Sequence, residues 1–329
     1  MYIPVFGRIM KILIVSGFLG AGKTTFIKEL VRRSGTRPVI MENEYGENNL
    51  DATELEQSLS AQKEMKILEF MEGCVCCTKK DSFVNSVLTV FSGLDPEYLV
   101  IEPTGVGRLS NILQNLRPIL HDRIQLLQPV VVLAPRTYRA NMAEWPELYR
   151  DQIKHAGIVI FSKGEREDPA LLEDTAARIR EINPDAEIVT EHYSRKPDAW
   201  WRERMEVSAE TGNIKDEING EEDFSQVSLQ TARLCSPAEL ILFLEDCLRG
   251  ELGHIARAKG VLPVGNEMFR FDLADRQYAI TGAEAEKTQC VIIGKDLCRQ
   301  ELFRRLGTSA EEEALQLSWR QIGHEKSAP

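Results

Sequence analysis

Gly17-Phe-Leu-Gly-Ala-Gly-Lys-Thr24 is the stretch that decides the fold of this chain. It fits the pattern G-x-x-x-x-G-K-[ST], in which closely spaced glycines let backbone N–H groups wrap phosphate oxygens. The flanks carry as much weight as the motif. Lys11-Ile-Leu-Ile-Val-Ser16 is a short aliphatic run of the kind that forms a strand buried on both faces. Thr25 to Arg33 has helical spacing, with Phe26, Ile27, Leu30 and Val31 on one side. Strand, glycine loop and helix in that order make a phosphate site, because the positive end of the helix faces the loop. Gly17, Gly20, Ala21, Gly22 and Thr25 are expected to line it. Lys23 is expected to reach the β- and γ-phosphates, and the Thr24 hydroxyl to bind Mg²⁺.

Outward from this unit, short aliphatic or β-branched runs recur at Pro38–Glu42, Lys66–Phe70, Tyr98–Glu102, Pro129–Ala134, Ile158–Ser162 and Glu187–Glu191. Helix-length sequence separates them. The alternation predicts an α/β fold of P-loop NTPase type, a mostly parallel sheet flanked by helices. Ligands of such sheets sit at the carboxyl ends of the strands. From about Ser208 the texture changes, and Glu210 to Ser225 is rich in Glu, Asp, Gly and Asn. The expected division is a nucleotide-binding domain over 1–207, a linker over 208–228 and a smaller C-terminal α+β domain over 229–329. In the last of these, helices are predicted over 236–248 and 297–306, and strands over 268–281 and 289–293. The polar tail after Ile322 is expected to fray.

Composition narrows the class. The 329 residues are 43% hydrophobic and 28% charged, with a net charge of −11. That charge argues against nonspecific binding to nucleic acid or an anionic membrane. No apolar run approaches the roughly 20 residues that span a bilayer. Met1 to Arg8 contains Pro4 and Gly7 and lacks the apolar core of a signal peptide, and Met10 is a second candidate start. Seven cysteines, an odd number with three crowded together, read as reduced thiols and a cytoplasmic location.

The crowded cysteines lie in Gly73-Cys-Val-Cys-Cys-Thr78. In extended backbone Cys74 and Cys76 point to one side, and a modest turn brings Cys77 to join them. Three thiolates suit Zn²⁺ and can also hold Co²⁺, Ni²⁺ or Cu⁺. Structural zinc sites have four ligands, so three indicate an open or transfer site. The fourth position is left to water, a carboxylate, His121 or a second subunit. Cys235, Cys247, Cys290 and Cys298 lie among apolar neighbours and are expected in the core.

Taken in order, the P-loop, Glu42-Asn-Glu-Tyr-Gly46 with Asp51, Gly73-Cys-Val-Cys-Cys-Thr78 and Ile101-Glu-Pro-Thr-Gly105 resemble the CobW family of P-loop GTPases. That family is related to the GTPases that deliver nickel to urease and hydrogenase. The resemblance extends through Ile182-Asn-Pro-Asp-Ala186 and into the C-terminal part at Arg257-Ala-Lys-Gly260. It implies Mg²⁺-dependent GTP hydrolysis coupled to handling of Zn²⁺, Co²⁺ or Ni²⁺, with Cys74, Cys76 and Cys77 as metal ligands. Within that reading Lys23, Glu42 and Glu102 are catalytic, and Thr24, Glu42 and Glu102 surround Mg²⁺. Gly105 offers a bare backbone N–H to the γ-phosphate. Asn43 to Asp51 would be one switch loop and Glu102 to Gly107 the other, with the cysteines between them in sequence.

Three departures from the family pattern stand out. The guanine-reading Asn-Lys-x-Asp is replaced by Ser162-Lys-Gly-Glu165. Glu165 still accepts from guanine N1 and N2 hydrogens and Lys163 still covers the base, while Ser162 in place of Asn removes a support behind them. Ala134-Pro135 stands where the family has Asp, and five scattered histidines exclude a histidine-rich metal store. The implied partners are a client metalloenzyme or corrinoid protein, together with a nucleotide- or metal-dependent homodimer. A GTP-timed assembly chaperone and a P-loop small-molecule kinase are the alternative functions. The kinase reading is disfavoured by the thiolate cluster.

Overall fold

The computed structural model describes residues 8–43, 67–70, 80–209, 224–284 and 287–308. The chain divides into two compact units, 1–222 and 223–329. The first is built on eight strands: β1 (Met10–Ser16), β2 (Val39–Asn43), β3 (Ile67–Phe70), β4 (Tyr98–Glu102), β5 (Ile124–Leu126), β6 (Val130–Leu133), β7 (Ile158–Phe161) and β8 (Glu187–Val189). They run in the order β3-β2-β4-β1-β6-β7-β8, with β5 beside the first half of β1. Every pairing in this sheet is parallel. Central strands covered by helices on both faces need apolar side chains at nearly every position. Accordingly β6 and β7 are buried throughout, and β1 is buried at all but Lys11.

The flanking helices are α1 (Lys23–Ser34), α2 (Lys80–Leu94), α3 (Leu109–Leu116), α4 (Tyr138–Glu144), α5 (Pro146–Lys154), α6 (Pro169–Ile182) and α7 (Asp198–Arg204). The apolar stripe read on α1 is the one it buries: Phe26, Ile27, Leu30 and Val31. Phe26 meets Tyr193 edge-on at 5.3 Å and Trp201 of α7 at 5.3 Å between ring centroids. These aromatic pairs fix α1 to the chain that follows β8. Among the described residues no helix is long and apolar enough to cross a membrane.

The second unit is an antiparallel sheet in the order β12-β11-β10-β13-β9, from β9 (Ser225–Leu229), β10 (His254–Val264), β11 (Glu267–Ala274), β12 (Gln277–Gly282) and β13 (Gln289–Lys295). Helices α8 (Pro237–Arg249) and α9 (Arg299–Arg305) contribute Leu240, Phe243, Leu244, Leu302 and Phe303 to its core. The helices fall where the sequence predicts them, and the strands differ. The predicted strand over 268–281 is two strands joined at Asp275 and Arg276, both at positive φ (54° and 58°). Two successive left-handed residues make the tight turn whose twist matches a hairpin. Strand β9 begins inside the stretch read as linker. Strand β10 holds Gly260 opposite Cys290 and Pro263 opposite Met268, near the hairpin end. Cys247 and Cys290 are buried as expected, but Cys235 and Cys298 are exposed.

Phe26→Ala removes a fully buried ring from between Tyr193 and Trp201. It should lower the unfolding free energy by about 3–5 kcal/mol. Urea denaturation followed by fluorescence would show this as a fall in midpoint with little change in slope.

Candidate nucleotide site

Gly17 follows the carboxyl end of β1 at φ 138°, in a conformation that suits glycine. A Cβ on it would overlap the Val132 carbonyl oxygen of β6, so the loop lies directly on the neighbouring strand. Gly22 then caps α1 without a side-chain hydrogen bond, and no acidic residue occupies the helix's first turn. The helix therefore begins with N–H groups that no side-chain acceptor of the cap satisfies and with no negative charge of its own, which is what an incoming phosphate requires.

Lys23 is 7% exposed, and its Nζ donates to the Phe18 carbonyl oxygen at 3.3 Å. The Thr24 hydroxyl donates to both carboxylate oxygens of Glu102, at 2.9 and 3.1 Å. Strands β2 and β4 pair with Glu42 beside Glu102. Two carboxylates on adjacent strands and a hydroxyl are hard oxygen donors of the kind Mg²⁺ takes. The residues present fit that ion and a triphosphate.

The stretch read as the second switch is tied to this loop from both sides. A Cβ on Gly105 would lie 2.7 Å from Leu19 Cα, so any side chain there would push the P-loop away. On the other side, Gln152 of α5 donates from Nε2 to the carbonyl oxygens of Gly107 (3.1 Å) and Gly105 (3.4 Å). Asp151 accepts from the Ser110 backbone N–H at 3.1 Å. Phe18 packs on Trp145 and on Tyr149 of α5, with centroids at 6.1 and 5.5 Å. Gln152 carries no sequence signature, because its partners lie 45 and 47 residues away.

Ser162 is joined to the same loop. It is 2% exposed, and its hydroxyl donates to the P-loop carbonyl oxygen of Ala21 at 2.6 Å and approaches that of Leu133 at 3.2 Å. The hydroxyl thus ties the end of β7 to the phosphate loop. Lys163 follows at φ 55°, and Glu165 is 46% exposed. Glu165 Oε1 lies 2.8 Å from His192 Nε2. The His192 ring accepts at Nδ1 from the Ser194 backbone N–H, which assigns the Nε2 proton to the carboxylate side. His192 also stacks on Tyr193 at 4.3 Å. Burial, with a smaller contribution from Glu165, pushes the Tyr193 hydroxyl up to about 12, so it stays protonated. His192 was not legible in the sequence.

Cys74, Cys76, Cys77 and all of the first-switch stretch after Asn43 lie outside the described residues. Among the described residues no group of three His, Cys, Asp or Glu side chains is placed to hold a metal ion. His121 bridges to Ile124, which pairs with Met10 at the amino end of β1, away from the P-loop. Its Nδ1 accepts from the Arg123 N–H at 3.1 Å.

A parallel sheet carrying a phosphate loop at its carboxyl edge, with a threonine–glutamate pair beside it, defines a P-loop nucleotide-binding protein. The family model described as the CobW/HypB/UreG nucleotide-binding domain matches residues 11–190, and the CobW C-terminal domain model matches 224–309. The chain belongs to the CobW/HypB/UreG family. It is similar to the zinc chaperone YeiR of Escherichia coli, 31% identical over 159 residues, which cover 47% of each protein. It is also similar to the zinc chaperone YjiA of Escherichia coli, 24% identical over 315 residues, covering 88% of this chain and 96% of YjiA. The chain thus spans about half the length of one relative and nearly all of the other. Among solved structures, the Zn(II)-bound YjiA GTPase from E. coli aligns with a TM-score of 0.43 at 18% identity, covering 91% of this chain and 98% of that one.

Gly105→Ala should reduce affinity for Mg²⁺-nucleotide at least tenfold, because the methyl group displaces the P-loop backbone at Leu19. Fluorescent-nucleotide titration of the variant measures this, and circular dichroism should show the fold retained.

Proposed function

We propose that this protein is a Mg²⁺-dependent GTPase that couples its nucleotide state to the binding of a transition metal and its delivery to a client metalloprotein. The observation that carries the proposal is the Thr24–Glu102 hydrogen bond beside a phosphate loop against which Gly105 is packed. Bound Mg²⁺ would be held by Thr24, Glu42 and Glu102 and would offset the charge of the β- and γ-phosphates. Lys23 exchanges its Phe18 carbonyl partner for phosphate oxygens, and the Gly105 N–H reports whether a γ-phosphate is present. Zn²⁺, Co²⁺ or Ni²⁺ is cargo, taken by the thiolates of Cys74, Cys76 and Cys77. Zinc is favoured by the names of the relatives YeiR and YjiA, both of them zinc chaperones.

The base is read by Glu165, with Lys163 alongside. His192 holds that carboxylate from behind through Nε2, leaving Oε2 and a second lone pair of Oε1 for the two guanine donors. A carboxylate held for two donors rejects adenine, whose N1 is an acceptor and whose amino group sits elsewhere on the ring.

GTP turnover tests the proposal. Lys23→Ala should abolish tight Mg²⁺-GTP binding and hydrolysis, and unchanged turnover would remove the nucleotide assignment. Glu165→Ala should lower the GTP-over-ATP preference at least tenfold, and His192→Ala should lower it a few-fold without affecting phosphate binding. Equal affinity of the unaltered protein for GTP and ATP would show that the base is not read at Glu165.

A further inference from the structure

A second cleft of about 810 Å³ opens between α4, α5 and α6 and the start of α3. Its volume lies within the range of ligand sites. Its lining includes Arg108, the residue immediately after the Gly105–Gly107 segment and the N-cap of α3. Arg108 is only 6% exposed, and among the described residues its guanidinium has no hydrogen-bond or ion-pair partner. Buried arginines are ordinarily paired, because desolvating a charge is costly unless an anion returns what water gave. This one lines a cleft.

The surrounding groups indicate what would complete it. Arg139, Arg150, Lys154 and Arg178 stand around the opening, all exposed. The acids of the lining are Glu147, Asp151 and Glu181, so five cations face three carboxylates in a chain whose net charge is −11. Asp151 is already engaged, accepting from the Ser110 N–H and lying 3.6 Å from His155 Nδ1. Arg139 and Arg178 share Asp174, each at 2.9 Å, and both keep further N–H groups for a ligand. Met142 and Ile182 contribute apolar surface between the cations.

We propose that this cleft binds an acidic segment of a client protein, with one carboxylate seated bidentately on Arg108. Arginine forks match carboxylates in this geometry, and arginine clusters recognise acidic motifs in this way. Several cations spaced around an open cleft with apolar side chains between them suit a peptide of alternating acidic and apolar residues better than a compact anion. The site also has a mechanical link to the nucleotide. Arg108 adjoins Gly107, and Gln152 and Asp151 of α5 hold the 105–110 segment. Occupancy and the γ-phosphate therefore bear on the same short segment, and each must alter the other's affinity by the same factor. The inference relies on the proposed function only for the existence of a client.

The test uses the full-length protein and fluorescence anisotropy of a labelled ten-residue peptide alternating Glu and Leu, first with no nucleotide or metal present. The acidic peptide is expected to bind at least tenfold more tightly than its Gln-for-Glu counterpart and to weaken as salt rises. Arg108→Met should reduce affinity at least tenfold. The exposed Arg150→Glu, which leaves the interior untouched, should reduce it at least threefold. Equal affinity for the two peptides, or indifference to both substitutions, would overturn the proposal. Binding of citrate or inorganic phosphate without the peptide would also overturn it, in favour of a small-anion site. A nonhydrolysable GTP analogue that leaves peptide affinity unchanged would overturn the link to the nucleotide. Since peptide binding is read without GTP turnover or metal, its failure is distinct from failure of the proposed function.

Discussion

The hydrogen bonds from the Thr24 hydroxyl to Glu102 join the first turn of α1 to the end of β4, and much of the site follows from that junction. They fix where β4 ends relative to the P-loop, and so where Gly105 can lie. Gly105 in turn touches the P-loop backbone at a separation that admits no side chain. Across the sheet the register of β2 on β4 brings Glu42 beside Glu102, and α5 holds the same segment through Gln152. A change that moves β4 is therefore felt at the phosphate loop, at Glu42 and in the 105–110 segment together. A packed interior shifts between discrete arrangements rather than deforming continuously.

The parallel sheet was legible because its signals are local. Aliphatic runs such as Ile12–Val15 and Val130–Leu133 are buried on both faces, and they read as strands without knowledge of their neighbours. The three-residue β5 is too short to show a period, and Gly260 and Pro263 interrupt the pattern of β10. The Asp275–Arg276 turn lacks the Asn-Gly or Asp-Gly signature that marks most hairpins of its type. At the site, the motif residues were readable and their holders were not. Gln152, His192 and the Ser162 contact with Ala21 join residues between 27 and 141 positions apart, and no periodicity reports such pairings.

The electrostatics follow one theme. In a chain with a net charge of −11, the uncapped start of α1, Lys23 and the arginines beside the second cleft are local groups of the opposite sign. An acidic surface repels polyanions in general.

The central claim is that GTP and metal are coupled, and titration of Co²⁺ with and without a nonhydrolysable GTP analogue tests it most directly. The account predicts thiolate-to-Co²⁺ charge transfer in the near ultraviolet, lost when Cys74, Cys76 and Cys77 are changed to Ser. It also predicts proton release on uptake, since the thiols must ionise to bind. The analogue should change Co²⁺ affinity by about fivefold or more, and Co²⁺ should change the analogue's affinity by the same factor. A coupling factor of one would contradict the account, leaving two independent sites on one chain.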